Sequence, residues 1–312
     1  MKQVSILIPC YNEEQSLSLL YPELKKVMDE EKEYSWEVLF VDDGSKDNTL
    51  GVIKSLMDSD QRINYISLSR NFGKENAMLA GFDYVNGDCM VIMDADLQDP
   101  PHLIPELLEY WEKGYQDVYA KRASRGRESM LRKGFSLLFY KILDNSTRFD
   151  MLPNVGDFRL LDRQCINALR KMRESERYTK GMFCWIGYKK KEVLFDRGNR
   201  HCGKSNWNFW SLFNLAIEGI TSFSTAPLRL SAVLGSVIAL FSFLLLLFYS
   251  LKTVLYGDQV RGFTTLIVVI LFMGGVQLIT VGVLGEYIGR IYNESKHRPT
   301  YLIAEHNGNK VI

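Results

Sequence analysis

Two long stretches without a charged residue constrain this chain more than any other feature of its sequence. The first covers the 22 residues 230–251 and the second covers the 24 residues 262–285. At 1.5 Å per residue, each would form a helix about 33 to 36 Å long, enough for a hydrocarbon core of about 30 Å. Core helices of soluble proteins seldom run so far without a polar edge. The pattern therefore predicts two membrane-spanning helices, with a pair of buried core helices as the alternative.

The short connection between these stretches predicts a hairpin whose two ends lie on one side of a membrane. Basic residues are frequent before the first stretch and return after the second, whereas the connection carries only Lys252 and Arg261. Because loops rich in Lys and Arg remain in the cytoplasm, we expect a cytoplasmic domain at 1–228, a hairpin at 229–286 and a cytoplasmic tail at 287–312.

The first hundred residues alternate short β-rich runs with helix-like stretches. The runs cover residues 4–9, 37–42, 64–69 and 88–94. This alternation predicts an α/β domain with a parallel sheet and helices on both faces. Ligands of open α/β sheets bind at the carboxyl ends of the strands, so the polar residues that follow the runs should converge on one crevice.

An acidic pair, Asp94 and Asp96, closes the fourth run. Carboxylates at positions i and i+2 of an extended chain point to the same side, so they can share one divalent cation. Such an ion would bridge a diphosphate and neutralise a departing group. A solvated turn is the alternative for an isolated pair of this kind, but its position after the apolar residues Val91 and Ile92 favours the metal.

The ends of the other runs carry groups suited to a nucleotide. Tyr11 and Glu13 follow the first run and offer an aromatic face and a carboxylate to a nucleobase. Asp42 ends the second run, where it can accept hydrogen bonds from a ribose, although an Asx turn that caps the next helix is the alternative. Lys74 follows the third run and is expected to approach the same nucleotide.

Two further stretches, 131–143 and 207–223, have apolar residues at helical spacing beside basic or aromatic ones. Close to a membrane hairpin, such helices can lie in the interface with their rings at headgroup depth. Ordinary helices that face the core of the soluble domain are the alternative for both stretches.

Taken in order, these motifs resemble the polyprenyl-phosphate glycosyltransferases of glycosyltransferase family 2, most nearly the bactoprenol glucosyltransferases and more distantly dolichol-phosphate mannose synthase. The resemblance covers nearly the whole chain and rests on SILIPCYNEE, FVDDGSKDNT, LSRNFGKENAMLAG, MDADLQDPP and GEYIGRIYNESKHRPTY. It implies a GT-A (Rossmann-like) catalytic domain before the transmembrane hairpin, a UDP-sugar donor, Mg²⁺ or Mn²⁺ as cofactor, and inversion at the anomeric carbon.

The resemblance also implies roles for individual residues, each at a position that matches a family motif. The nucleoside pocket would comprise Pro9, Tyr11, Glu13 and Asp42, and the metal site Asp94, Asp96 and Gln98. The acceptor phosphate would be held by Arg122, Arg132 and Ser136, with a solvated surface charge as the alternative for either arginine. The donor diphosphate would be held by a loop with Arg200 and Ser205. Asp157 occupies the place of the catalytic carboxylate, with a loop cap as the alternative.

The function implied is transfer of a hexose, with glucose as the first choice, from a UDP-sugar to undecaprenyl phosphate. This would occur at the cytoplasmic face of the bacterial inner membrane, for modification of a cell-envelope glycan. N-acetylglucosamine or another sugar on the same lipid is the alternative, and relatives suggest a homo-oligomer such as a tetramer.

Three other classes of protein fit the sequence less well. A chain that resembles the processive polysaccharide synthases would carry a Gln-x-x-Arg-Trp signature, and this chain has no Arg-Trp dipeptide. A non-catalytic membrane scaffold would have no need for the intact acidic residues at 94, 96 and 157. A nucleic-acid binder usually shows a basic excess, whereas 38 Lys and Arg here balance 37 Asp and Glu.

Overall fold

The structure, a computed structural model, describes residues 1–122, 152, 155–175, 177–195 and 262–311, together with scattered positions between 228 and 255. The predicted amphipathic helices at 131–143 and 207–223 lie outside the described residues.

Nine strands among the described residues form one mixed sheet. They are β1 (Lys2–Cys10), β2 (Tyr34–Asp42), β3 (Ile63–Leu68), β4 (Cys89–Ile92), β5 (Asp117–Arg122), β6 (Val155–Asp162), β7 (Lys190–Phe195), β8 (Ile303–His306) and β9 (Asn309–Lys310). Their order across the sheet is β7-β5-β6-β4-β1-β2-β3-β8-β9. The central strands β4, β1, β2 and β3 are parallel, as the sequence predicted. The sheet as a whole is mixed, because β6 runs antiparallel to β4 and β5, and β8 runs antiparallel to β3.

Helices cover both faces of this sheet. The α-helices for which the structure gives both ends are α1 (Glu14–Glu30), α2 (Thr49–Ser59), α3 (Lys74–Tyr84), α4 (Ile104–Glu112), α5 (Arg163–Lys171), α6 (Thr179–Trp185) and α7 (Phe263–Ser295). Because strand side chains alternate between faces, Ile6 and Ile8 pack with α1, α2 and α4 while Leu7 packs with α3, α5 and α6. Helix α3 approaches β1 so closely that a Cβ at Gly81 would lie 2.2 Å from a methyl carbon of Leu7.

The residues after α7 return to the sheet. The predicted tail, 287–312, contains β8 and β9, and β8 pairs with the edge of β3. Asn307 secures this pairing, since its Oδ1 accepts from the backbone N–H of Tyr65 at 2.7 Å and its Nδ2 donates to Asn64 Oδ1 at 2.9 Å. An unpaired edge strand exposes a row of N–H and C=O groups, so the returning strand satisfies the edge that β3 would otherwise leave open.

Helix α7 contains the second uncharged stretch and continues beyond its predicted end at residue 285 for a further ten residues. Charged residues do not end a helix, and the i,i+4 ion pair of Glu286 with Arg290 at 3.0 Å favours the extension. Among the described residues one helix is long and apolar enough to span a membrane, at Phe272–Ser295, and that window is not buried against the rest of the chain. The first stretch, 230–251, is described only in part, so the two-helix hairpin stays a prediction.

Candidate active site

The carboxyl ends of β1 to β4 meet at a cleft with a volume of about 260 Å³. As predicted from the alternating pattern, the residues that follow different strands come together there. Those lining the cleft include Pro9, Tyr11, Glu13, Asp43, Gly73, Lys74, Asp94 and Asp96.

The loop after β1 is held against the loop after β2. The backbone N–H of Asn12 donates to Ser45 Oγ at 3.0 Å, and the N–H of Lys46 donates to Asn12 Oδ1 at 2.8 Å. The N–H of Glu13 donates to Thr49 Oγ1 at 2.8 Å. These bonds position Tyr11, which is 40% exposed, as an aromatic surface at the rim of the cleft.

The two carboxylates after β2 have different surroundings. Asp42 is buried, and its oxygens accept from the backbone N–H of Ser45 at 3.1 Å and from Ser67 Oγ at 2.8 Å. Both hydrogen-bond donors belong to the protein itself, and Asp42 does not line the cleft, so the structure does not bring this predicted nucleoside contact together with Tyr11 and Glu13. Asp43 lines the cleft instead.

Asp43 connects the loops that follow β2 and β3. Its two oxygens accept from the backbone N–H groups of Phe72 at 2.7 Å and Gly73 at 2.9 Å. Burial raises the pKa of Asp43, although these two N–H groups act in the opposite direction. The loops touch at Gly44, whose φ is +66° and whose Cβ, if it had one, would lie 2.5 Å from the carbonyl carbon of Arg70. Only glycine fits this approach without strain.

Lys74 joins two of the predicted acidic residues. Its Nζ lies 2.6 Å from Asp94 Oδ1 and 2.5 Å from Asp157 Oδ2. Burial lowers the pKa of Lys74, but the two carboxylates outweigh burial and hold the pKa above its usual range. Lys74 therefore carries a full positive charge between the end of β4 and the start of β6.

Of the two carboxylates that pair with Lys74, Asp157 is more enclosed than Asp94. Burial acts to raise its pKa, but Lys74 and then Lys180 lower it to about 2. Its Oδ1 is buried and has no hydrogen-bond partner among the described residues. Asp157 is therefore ionised at neutral pH, with one oxygen engaged by Lys74.

A buried ion pair fixes the strand that carries Asp157. Two residues further along β6, Arg159 Nη1 lies 3.2 Å from Asp117 Oδ2, and both side chains are almost fully buried. The Arg159 guanidinium also stacks at 3.8 Å from the ring centroid of Phe183 in α6. Removing either partner of such a pair leaves an uncompensated buried charge. The ion pair therefore holds this part of β6 in a defined position beside β5.

The loop after β4 braces the acidic pair from behind. The backbone N–H of Asp94 donates to Asp99 Oδ2 at 3.0 Å. Burial, and after it the negative charge of Asp94, raises the pKa of Asp99 to about 7. Gln98 is buried and donates to Asp96 twice, from its backbone N–H at 3.2 Å and from Nε2 at 2.5 Å. Gln98 does not line the cleft, so the structure places this predicted metal ligand behind Asp96.

The donor set of the cleft fits a hard divalent cation that shares its ligands with a substrate. No group of three or more His, Cys, Asp or Glu side chains in the described part of the chain is arranged to hold a metal ion. Mg²⁺ is commonly bound by only one or two carboxylates, together with phosphate oxygens and water. Asp94 and Asp96, which line one cleft, supply such a pair.

The remaining predicted site residues are described only in part or not at all. Arg122 ends β5, where its backbone pairs with Phe195 of β7, and its side chain lies outside the described residues. Arg132, Ser136, Arg200 and Ser205 also lie outside them.

Sequence reasoning missed the contact that anchors the start of α3. Glu75 accepts from the backbone N–H of Thr179 at 2.9 Å and also from its hydroxyl, which joins α3 to α6. Burial raises the pKa of Glu75, against the effect of these bonds. No local pattern predicts a hydrogen bond between residues 104 positions apart. Asp43 was also missed, although it directly follows the predicted Asp42 in the sequence.

Comparison with known proteins identifies relatives over the whole chain. The family model described as "Glycosyl transferase family 2" matches residues 5–170. An uncharacterized glycosyltransferase of Synechocystis sp. is 46% identical over 303 residues, which cover 97% of this chain and 95% of that protein. The bactoprenol glucosyl transferase of Shigella phage SfV is 43% identical and covers 96% of this chain and 98% of that protein.

Solved structures show a partial likeness. Glucosyl-3-phosphoglycerate synthase from Mycobacterium tuberculosis, in complex with Mn²⁺, UDP and glucosyl-3-phosphoglycerate, is 16% identical. The match covers 70% of this chain and 77% of that chain, with a TM-score of 0.46. A likeness of this extent does not bear on the ligands of the present chain.

Proposed function

Because the chain belongs to glycosyltransferase family 2, we propose that it transfers glucose from UDP-glucose to undecaprenyl phosphate with inversion at the anomeric carbon. The chain is a hexosyltransferase, and its catalytic domain has the predicted GT-A-like α/β class of fold. The observation that carries the proposal is that Lys74, Asp94 and Asp96 line one cleft at the carboxyl ends of the parallel strands, and that Lys74 also pairs with Asp157 near the start of β6. The bactoprenol glucosyl transferase of phage SfV, similar over nearly its whole length, supports this choice of sugar and lipid.

The donor would lie in the cleft with its base against Tyr11 and its diphosphate near Lys74. Mg²⁺ or Mn²⁺ on Asp94 and Asp96 would supply positive charge to the diphosphate as the anomeric carbon–oxygen bond breaks. Lys74, with Arg200 and Ser205 of the predicted donor loop, would hold the departing UDP through charge-assisted hydrogen bonds.

The acceptor phosphate needs to be positioned more than it needs to be activated. A phosphate monoester has a second pKa of about 6, so it is largely a dianion at neutral pH and requires no general base. One of its oxygens forms the new bond to the anomeric carbon on the face opposite the leaving UDP. Arg122, Arg132 and Ser136 would hold the other oxygens, because guanidinium groups suit a dianionic phosphate.

Asp157 fits an orienting role better than a proton-accepting one. A general base works best when its pKa lies near the working pH, whereas the pKa of Asp157 is about 2. Its buried Oδ1 has no partner among the described residues and can accept a hydrogen bond from a sugar hydroxyl. Asp157 would thereby hold the hexose with its anomeric carbon facing the acceptor.

The direct test is to incubate membranes that contain the protein with undecaprenyl phosphate and a panel of UDP-sugars, and to measure the lipid product by mass spectrometry. We expect a hexose adduct with UDP-glucose. Membranes that carry Asp157→Asn should yield far less of it. An adduct only with UDP-N-acetylglucosamine would replace the sugar, and a polymer or no lipid adduct would overturn the proposed reaction.

The returning tail supports a hairpin topology. Since β8 pairs with β3, the tail and the catalytic domain lie on one side of any membrane that α7 crosses. The chain must then cross a second time between β7 and α7. The uncharged stretch 230–251 has the length for that crossing, and its described positions are helical. We propose that the catalytic domain and the tail are cytoplasmic, in a multi-pass protein of the bacterial cell membrane.

This topology predicts which introduced cysteines react with an impermeant maleimide in spheroplasts. The cysteines are introduced one at a time into a variant of the protein from which the native cysteines have been removed. Gly257→Cys, in the predicted outer loop, should react, whereas Val311→Cys should react only after permeabilisation. Val311 is exposed and suits the test, while Asn307 does not, because its side chain secures β8 to β3. Labelling of Val311→Cys alone in intact spheroplasts would reverse the orientation.

A further inference from the structure

The position of Lys74 bears on how the divalent cation enters the cleft. Its ammonium lies 2.6 Å from Asp94 Oδ1, and Asp94 is one of the two carboxylates proposed to hold that cation. Like charges a few ångströms apart repel strongly where solvent is partly excluded. The ammonium and a divalent cation therefore compete for Asp94.

The backbone at Lys74 is held on both sides, so only its side chain can resolve this competition. The preceding residue, Gly73, donates its N–H to Asp43 Oδ2 at 2.9 Å. The following residue, Glu75, accepts from the N–H of Thr179 at 2.9 Å. The Lys74 side chain is 40% exposed and has a flexible stem. The side chain can therefore turn while the backbone of Lys74 stays beside the cleft.

A diphosphate in the cleft changes this balance. Its negative charge attracts the Lys74 ammonium, which can donate to phosphate oxygen in place of Asp94 Oδ1. The diphosphate also supplies oxygen ligands to the cation. Asp94 and Asp96 alone cannot complete the coordination shell of a divalent cation. Both effects strengthen cation binding once the nucleotide is present.

We propose that Lys74 is a positioning residue that makes cation binding at Asp94 and Asp96 depend on the donor diphosphate. By thermodynamic reciprocity, the cation then strengthens diphosphate binding by the same factor. Cation and donor thus assemble together on Asp94 and Asp96. The inference rests on the proposed function only in taking these two residues as the cation site.

The test measures Mn²⁺ binding to the full-length protein in detergent by the EPR signal of the free ion, with and without UDP. In the wild-type protein UDP should strengthen Mn²⁺ binding. Lys74→Met keeps the length of the side chain without its charge, and should bind Mn²⁺ without UDP about tenfold or more tightly than the wild type. The gain in Mn²⁺ affinity that UDP produces should shrink in this variant.

Two matched variants separate charge from other effects of the substitution. Lys74→Arg keeps the charge and should preserve weak Mn²⁺ binding without UDP. Lys113→Met removes a lysine that pairs with Glu109 on the surface of α4, and should behave as the wild type. Should Lys74→Met fail to fold by its thermal melting curve, Lys74→Gln carries the same expectation.

The outcomes distinguish this inference from the proposed function. Asp96→Asn should abolish specific Mn²⁺ binding, and if it binds as the wild type does, the cation site itself is misassigned. If Asp96→Asn loses Mn²⁺ while Lys74→Met binds no more tightly than the wild type, the role of Lys74 is overturned and the cation site stands. If the Mn²⁺ affinity of the wild-type protein is the same with and without UDP, the role of Lys74 is overturned by the wild-type measurement alone.

Discussion

Replacing Asp96 with asparagine should lower sugar transfer by about a hundredfold or more, because a hard cation that stabilises the leaving diphosphate is worth several kcal/mol. Asparagine has nearly the same shape and keeps an oxygen that can accept from the backbone N–H of Gln98, which lies 3.2 Å from Asp96 Oδ1. The fold should therefore survive. The rate is measured as glucosyl-lipid formed by purified protein in lipid nanodiscs.

The matched control is Asp58→Asn, an exposed carboxylate on α2 away from the cleft, which should keep the wild-type rate. EDTA should stop transfer by the wild-type protein, and added Mg²⁺ or Mn²⁺ should restore it. Full turnover in EDTA, or an Asp96→Asn variant as fast as the control, would contradict the assignment of Asp94 and Asp96 to a cation.

Replacing Arg122 and Arg132 together with glutamine should raise the apparent KM for undecaprenyl phosphate by about a hundredfold, since each lost charge-assisted hydrogen bond costs about 1.5 to 3 kcal/mol. The KM for UDP-glucose should hardly change. Arg122 ends β5, two strands from the cleft strand β4 in the order of the sheet. This placement suits a group that meets the acceptor and not the nucleotide.

Lysine at either position should rescue only part of the lipid affinity, because it supplies charge without the two-pronged geometry of arginine. Arg62→Gln is the control. Arg62 pairs with Asp29 and Asp60 just before β3, at the end of that strand that lies away from the cleft. Normal transfer by the double variant at limiting lipid would place the acceptor site elsewhere. Loss of UDP-glucose affinity instead would assign these arginines to the donor.

The sequence predicted the convergence of the site because that convergence follows from local order. Parallel strands of one sheet end at the same edge, so residues that follow successive β-rich runs had to meet. Pro9, Tyr11, Glu13, Asp94 and Asp96 line one cleft for this reason. The family could also be predicted from the sequence, because each of its motifs is a contiguous stretch of the chain. The match of the family model to residues 5–170 confirms that prediction.

Side-chain partners could not be read in the same way. Which of Asp42 and Asp43 faces the cleft depends on where β2 ends, because successive side chains of a strand point to opposite faces. The structure buries Asp42 against Ser67 and gives the cleft to Asp43. Gln98 likewise braces Asp96 from behind, since the turn after β4 directs its amide to that carboxylate.

By itself the sequence determined the class of fold, the strand-end site and the uncharged stretches, because each depends on spacing within a few dozen residues. Only the tertiary structure decided that Lys74 joins Asp94 to Asp157 and that β8 closes the edge of β3. These contacts join segments separated by between 20 and more than 200 positions along the chain. Such segments meet only because the whole sheet, with helices packed on both of its faces, brings them together.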